Sequence, residues 1–110
     1  MSYSIGLAQK FEGDFKFLSK KYKSIEKDPD ELFDSLIKNP FIGTPPGKDC
    51  YKVRVKITSK GKGKSGGGRL ITCVKVINEK IYLLTLYDKS QQATISDKEL
   101  DNMLKEAGLL

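Results

Sequence analysis

The apolar positions of the chain change period several times, and each change marks an element. Tyr3, Ile5 and Leu7 alternate with small or polar residues, the two-residue period of a short strand. From about Gln9 the interval lengthens. Phe11, Phe15, Leu18, Tyr22 and Ile25 fall on one stripe of a helix, with Lys10, Lys16, Lys20, Lys21 and Lys23 largely off it. That helix reads as a core-packing element with a solvated basic flank. Asp28 before Pro29 predicts an N-cap followed by proline in the first turn of a second helix, with Glu31 following in the same turn. Leu32, Phe33, Leu36 and Ile37 give this helix its buried face, and Asn39-Pro40 ends it. The two helices form a hairpin on one side of a sheet.

The stretch FIGTPPGKD (residues 41–49) reads as a connecting loop. Residues 51–57 alternate again. Tyr51, Val53, Val55 and Ile57 take one face, and Lys52, Arg54 and Lys56 the other. The next segment, 58–68, is too rich in glycine and lysine to pack. A strand from Arg69 to about Ile77 follows, then a tight turn at Asn78-Glu79. The run IYLLTLY (81–87) is almost continuously apolar, as expected of a central strand covered on both faces. SDKE (96–99) is a capping box opening a last helix, with Leu100, Met103, Leu104 and Ala107 on its apolar side and Gly108 as its stop. The predicted order is β-α-α-β-β-β-α. This is an α+β fold, with a small, mainly antiparallel sheet, an N-terminal helical hairpin on one face and a short C-terminal helix.

At 110 residues the chain suits a single domain, 1–110, with one core. No stretch is long and apolar enough to span a bilayer, and the N-terminus lacks the pattern of a signal peptide. Cys50 and Cys73 follow no metal spacing and read as reduced thiols, so a cytoplasmic location is expected. The net charge of +6 is unevenly spread: only cations occur between Cys50 and Arg69. A polyanion partner should therefore meet the middle of the chain. The absence of histidine removes triad hydrolases and two-histidine nucleases. GKGKSG (61–66) matches G-x-G-x-x-G, and Gly63-Lys64-Ser65 looks like the end of a phosphate-binding loop. Both signatures need a following helix, whereas a strand follows here, so no nucleotide cofactor and no metal is expected.

What remains is a cationic surface. Lys52, Arg54 and Lys56 would stand about 7 Å apart on one sheet face. Like charges at that spacing repel, so an anion is expected between them. The loop adds Lys60, Lys62 and Lys64, although by itself such a loop is equally a solubilising turn. Hairpin closure brings Arg69 back to the first strand, and Lys75 shares its parity. Such a surface permits RNA cleavage by in-line attack of a 2′-hydroxyl. That reaction needs a base for the 2′-OH proton, cations for the crowded phosphate and an acid for the leaving 5′-oxygen. Arginine supplies only the second. A lysine among other cations can move the protons. Tyr87 can donate to the phosphate, and Asp88 can orient a cation.

The run YKVRVKITSKGKGKSGGGRLI, followed by VINEKIYLLTLYDKS, resembles the RelE/ParE superfamily of toxins from type II toxin–antitoxin pairs, and most of all its RelE and HigB-like branch. The helical hairpin fits the same frame, so the resemblance covers nearly the whole chain. It implies a RelE-like fold and a ribosome-dependent mRNA endonuclease that cuts the exposed A-site codon by 2′-hydroxyl attack, without a metal. It places the catalytic face on Lys52, Arg54 and Arg69, with Lys89 at a basic position after the last strand. Phosphate stabilisation falls to Arg69 and Arg54, and proton transfer to Lys52. Tyr87 is the tyrosine available for the family's C-terminal one. Lys56, Lys60, Lys62, Lys64 and Lys75 would hold RNA backbone. Ser90-Gln91-Gln92 stands where RelE carries a second arginine. The implied partners are a cognate antitoxin, expected to be a helix-turn-helix protein of the same operon, the ribosome with its A-site mRNA, and operator DNA through the toxin–antitoxin complex. Two other readings stay open: a ParE-like inhibitor of DNA gyrase that is not a nuclease, and a degenerate module that only binds antitoxin or nucleic acid.

Overall fold

Among the residues that the computed structural model describes (3–58, 67–92 and 94–110), five strands form one sheet. They are β1 (Ser4–Leu7), β2 (Thr44–Gly47), β3 (Cys50–Val55), β4 (Gly68–Lys75) and β5 (Lys80–Asp88), in the order β1-β5-β4-β3-β2. β1 runs parallel to β5, and every other pairing is antiparallel. The helices are α1 (Gln9–Lys21), α2 (Asp30–Lys38) and α3 (Asp97–Glu106). This is the expected α+β fold with one strand more.

The hydrophobic stripe of α1 packs as its period requires. Phe11 and Leu18 are buried against Val53, Val55, Leu70, Ile81, Leu83 and Leu86 of the sheet. The helix stops at Lys21. Ile25, the last member of the stripe, comes from a 3₁₀ turn, Lys23–Glu26. α2 adds Leu36 to the same core. α3 lies on the opposite face, where Leu100, Met103 and Leu104 cover Cys50, Ile71, Cys73 and Leu84. Each such side chain contributes roughly 1.5–3 kcal/mol by leaving water. The capping box is present: the Ser96 side chain accepts from the Glu99 N–H, and Glu99 accepts from the Ser96 N–H. At its other end the Gly108 N–H bonds Lys105 and the Leu109 N–H bonds Leu104, a Schellman closure with Gly108 at φ +73°.

Several expectations change. The segment taken as a loop contains β2, an edge strand holding Pro45 and Pro46, which an edge tolerates because one side needs no donors. β2 turns into β3 through Lys48 and Asp49, both at positive φ, a primed two-residue turn without its usual glycine or asparagine. A Lys48–Asp101 ion pair ties this turn to α3. Asp28 does not cap α2; Pro29 occupies the N-cap. The Asp28 carboxylate instead accepts from Ser24 and from the N–H and hydroxyl of Thr58, at 2.9 and 2.7 Å. The tight turn at Asn78-Glu79 is a 3₁₀ turn, Val76–Asn78, with Glu79 left-handed. β4 therefore ends at Lys75, short of Ile77. Cys50 and Cys73, by contrast, are free thiols as expected, both fully buried and directly opposite each other.

Beyond Leu83, β5 has no β1 partner. Asp14 of α1 takes over there. Its carboxylate accepts from the Leu86 N–H at 3.2 Å, from the Thr85 hydroxyl, and from Lys10 Nζ at 3.1 Å. One acidic side chain thus closes an exposed sheet edge and fixes α1 beside the end of β5.

Candidate active site

Alternation along β3 builds the site. Val53 and Val55 turn to the α1/α2 face, so Cys50, Lys52 and Arg54 take the α3 face. Across the ladder Arg54 stands opposite Arg69, and Arg69 opposite Tyr87. The Val74 N–H donates to the Asp49 carbonyl at 2.9 Å. This puts Cys50/Cys73 in the closely approaching class of antiparallel pairs. The unbroken register carries that class to Lys52/Ile71 and Arg54/Arg69, whose Cα atoms are then roughly 4.5 Å apart. α3 covers this face, and Tyr87 belongs to the same buried cluster as Leu100, Met103 and Leu104.

The members of the row differ in environment. Arg54 is exposed, whereas Arg69, on the middle strand, is only 4% exposed. Arg69 Nη1 donates to the Gly68 carbonyl at 2.9 Å. No carboxylate among the described residues forms an ion pair with it. Tyr87 is buried, and its hydroxyl finds no hydrogen-bond partner among those residues. Burial pushes its pKa above the ordinary value. The neighbouring Arg69 charge pulls the other way, and Glu99 adds a small push upward. Tyr87 therefore stays a neutral donor at neutral pH. A buried guanidinium beside a hydroxyl with no partner among the described residues has the donors that an anion with acceptor oxygens would use.

Lys52 is half-buried and borders a small cavity of about 40 Å³ with Ile71, Ile95, Asp97 and Leu100, under the start of α3. Lys89 is half-buried just past β5, where its N–H continues the ladder to the Gly67 carbonyl at 3.1 Å. The same strand end is pinned from the α1/α2 face. Asp88 is buried and accepts from the Tyr22 hydroxyl at 2.7 Å and from the Ser90 N–H and hydroxyl at 3.0 and 2.8 Å.

Not every expected cation joins the row. β3 ends at Val55, so the alternation stops before Lys56, whose charge instead helps hold the Asp28 carboxylate in its ionised form. Lys75 lies at the far end of β4 and faces Asp49 at 3.6 Å. It stands six positions along the strand from Arg69, roughly 20 Å away. Lys60, Lys62 and Lys64 lie outside the described residues.

Three nearby side chains escaped the sequence reading. Asp14 and Tyr22 sit on α1 or at its end, where the helical period shows packing but not polar partners. Phe17 had a signal: it lies off the apolar stripe, among lysines, and is 66% exposed. Among the described residues no group of three His, Cys, Asp or Glu side chains could hold a metal ion, and no helix is long and apolar enough to cross a membrane.

A protein-family profile described as "RelE toxin of RelE / RelB toxin-antitoxin system" matches residues 35–110. Three solved structures share the fold at low identity. A doubly substituted E. coli toxin RelE in the free state is 15% identical, the alignment covers 98% of this chain and 96% of that one, and the TM-score is 0.59. The intact E. coli RelBE toxin–antitoxin complex gives 17% identity, 78% and 95% coverage and a TM-score of 0.60. The RelBE2 toxin–antitoxin complex of Mycobacterium tuberculosis gives 14%, 80%, 99% and 0.59. Since the profile spans most of the chain, from α2 through the cationic row to the C-terminus, the protein belongs to the RelE family of toxin–antitoxin toxins.

Proposed function

We propose that this RelE-family toxin is an endoribonuclease that cuts ribosome-bound mRNA in the A site, in the cytoplasm, and is neutralised by a cognate antitoxin. The observation that carries the reading is the Arg54–Arg69 pair: two arginines in the closest cross-strand register, one of them buried with no ionic partner among the described residues, beside a Tyr87 hydroxyl that finds no hydrogen-bond partner among them. A bridging phosphate removes the repulsion between them and satisfies the hydroxyl.

The arrangement supports the following reaction. The 2′-oxygen attacks the adjacent phosphorus, its proton passing to Lys52 as base. Arg54 and Arg69 neutralise the charge that builds on the non-bridging oxygens, and Tyr87 donates to one of them. The bond from phosphorus to the 5′-oxygen breaks and that oxygen takes up a proton, with Lys89 within the same strand end as donor. The products are a 2′,3′-cyclic phosphate and a 5′-hydroxyl.

The antitoxin reading rests on the toxin–antitoxin complexes among the structural relatives and on the net charge of +6. A basic toxin face suits an acidic, amphipathic segment. In that complex a helix-turn-helix antitoxin would contact operator DNA.

The test is cleavage of A-site mRNA in a purified translation system. The wild-type chain is expected to cut, and Arg54→Ala and Arg69→Ala to cut at least about 100-fold more slowly. Circular dichroism checks that both stay folded. If folded Arg54→Ala and Arg69→Ala cut at the wild-type rate, the row is not the active site. A wild-type protein that leaves ribosome-bound mRNA intact but blocks gyrase supercoiling would refute the nuclease reading.

A further inference from the structure

A cavity beside α1 is lined in part by Tyr87. It is about 310 Å³ and opens between the C-terminal half of α1 and the chain leaving β5. Tyr87 lines it, and Tyr87 is also the register partner of Arg69. The cavity therefore borders the end of β5 that carries the register partner of Arg69.

Its walls are chemically mixed in a specific way. Phe17 offers an aromatic face that is 66% exposed, unusual for a phenylalanine on a helix whose core stripe is complete without it. Gln91 and Gln92 bring amides, each a donor and an acceptor. Gln92 is held in place by its Nε2 donating to the Thr94 carbonyl at 3.0 Å. Asp14 and Asp88 supply carboxylate oxygens already fixed by Leu86, Thr85, Tyr22 and Ser90. Two carboxylates against the single cation Lys21 disfavour a phosphate here. A neutral, flat group carrying amino donors fits all of these walls: it stacks on the ring and donates to the carboxylates and amides.

We propose that this cavity seats an unpaired nucleobase of the RNA strand whose phosphate lies on the Arg54–Arg69 row, with Phe17 as its stacking face and Gln91 and Gln92 as readers of its edge. The inference rests on the nuclease reading above and extends it to sequence preference. Stacking of one base on an aromatic side chain is sequence-tolerant in itself. The amides and carboxylates add the selectivity, favouring bases with an exocyclic amino group.

Two measurements on the full chain test it. Nucleoside monophosphates are titrated while the Phe17 ring and Gln91 amide resonances are followed by NMR, with ribose 5-phosphate and inorganic phosphate as base-free probes. AMP and CMP should shift these resonances and the base-free probes should not, and Phe17→Ala should weaken AMP binding roughly tenfold. In the translation system, Phe17→Ala and Gln91→Ala should spread cleavage over more codons while Arg69 remains required. If ribose 5-phosphate shifts Phe17 as AMP does, or both variants keep wild-type affinity and codon pattern, the base site is wrong and the nuclease reading stands. If AMP binds at Phe17 with the predicted loss in Phe17→Ala but no RNA is cut, the base site stands and the nuclease reading falls.

Discussion

Arg54 and Arg69 face each other across the β3–β4 ladder in its closest register, and neither meets a carboxylate among the described residues. Directly opposed like charges destabilise a sheet by a few tenths of a kcal/mol to about 1 kcal/mol. Arg54→Ala is therefore expected to leave stability unchanged or to raise it slightly, while RNA affinity falls and its salt slope shrinks by about one. Urea unfolding and salt-dependent RNA binding check the two halves separately. A variant that loses both stability and affinity would mean that Arg54 is a structural residue.

The Tyr22 hydroxyl and Asp88 form the brace behind the row, at 2.7 Å. Removing the donor with Tyr22→Phe leaves a buried carboxylate short of a partner, at a cost of about 1–3 kcal/mol. The hydrogen bond to Asp88, with burial and the carboxylate charge adding to it, raises the Tyr22 pKa above its ordinary value. The folded-state value thus lies above the unfolded one, near 10. The contribution is complete below about pH 10 and disappears as pH rises through the folded value. Wild type and Tyr22→Phe should therefore converge in stability in strong alkali. Tyrosinate absorbance, compared between wild type and Tyr22→Phe, should show Tyr22 ionising above the ordinary tyrosine value.

Residues that act through local period were legible in the sequence, and those that act through distant polar contacts were not. The stripe of α1, the continuous apolar run of β5 and the Ser96/Glu99 box follow from spacing alone, and the structure has them; of the face expected on α2, Leu36 is fully buried and Leu32 and Phe33 partly, whereas Ile37 is exposed. The return of Arg69 beside the first strand follows from hairpin closure, whereas its place directly opposite Arg54 is a register that the loop between the strands leaves open and the structure supplies. Asp28 misled because Asp-Pro is a local cap signal, while its donor is Thr58, thirty residues on. β2 was hidden because Pro45 and Pro46 weaken any strand signal, although an edge accepts them. The tie from Asp14 to Leu86 depends on where β1 stops, which no local window records.

Asp28 supplies a further test. Burial works against its charged form, but hydrogen bonds from Ser24 and Thr58 outweigh it, with Lys56 assisting, and the pKa falls below the usual value. Its stabilising effect is present above the unfolded value, about 3.9, and is lost as pH falls through the lower folded value. Asp28→Ala should cost about 1 kcal/mol at pH 7 and much less at pH 2–3. Urea midpoints at the two pH values check the sign, and amide exchange at Thr58 should accelerate in the variant. An equal loss at both pH values would assign the effect to something other than the carboxylate.

Two glycines test how tightly the backbone at Lys52 is held. Gly43 has φ +106°, and a Cβ there would lie 2.6 Å from the Lys52 carbonyl oxygen and 2.9 Å from Val53 Cγ2. Neither the left-handed backbone nor the contact can be relieved without moving β3, so Gly43→Ala should cost about 2–3 kcal/mol. Because the clash falls on Lys52 itself, the folded fraction should also cut RNA more slowly. Gly13, within α1, meets nothing within 4 Å, so Gly13→Ala should raise stability by about 0.5–1 kcal/mol and leave cleavage unchanged. Thermal unfolding and A-site cleavage on both variants separate the cases. Full activity per folded molecule in Gly43→Ala would show that the position of Lys52 is not critical to the reaction, and would shift the role of base to another residue.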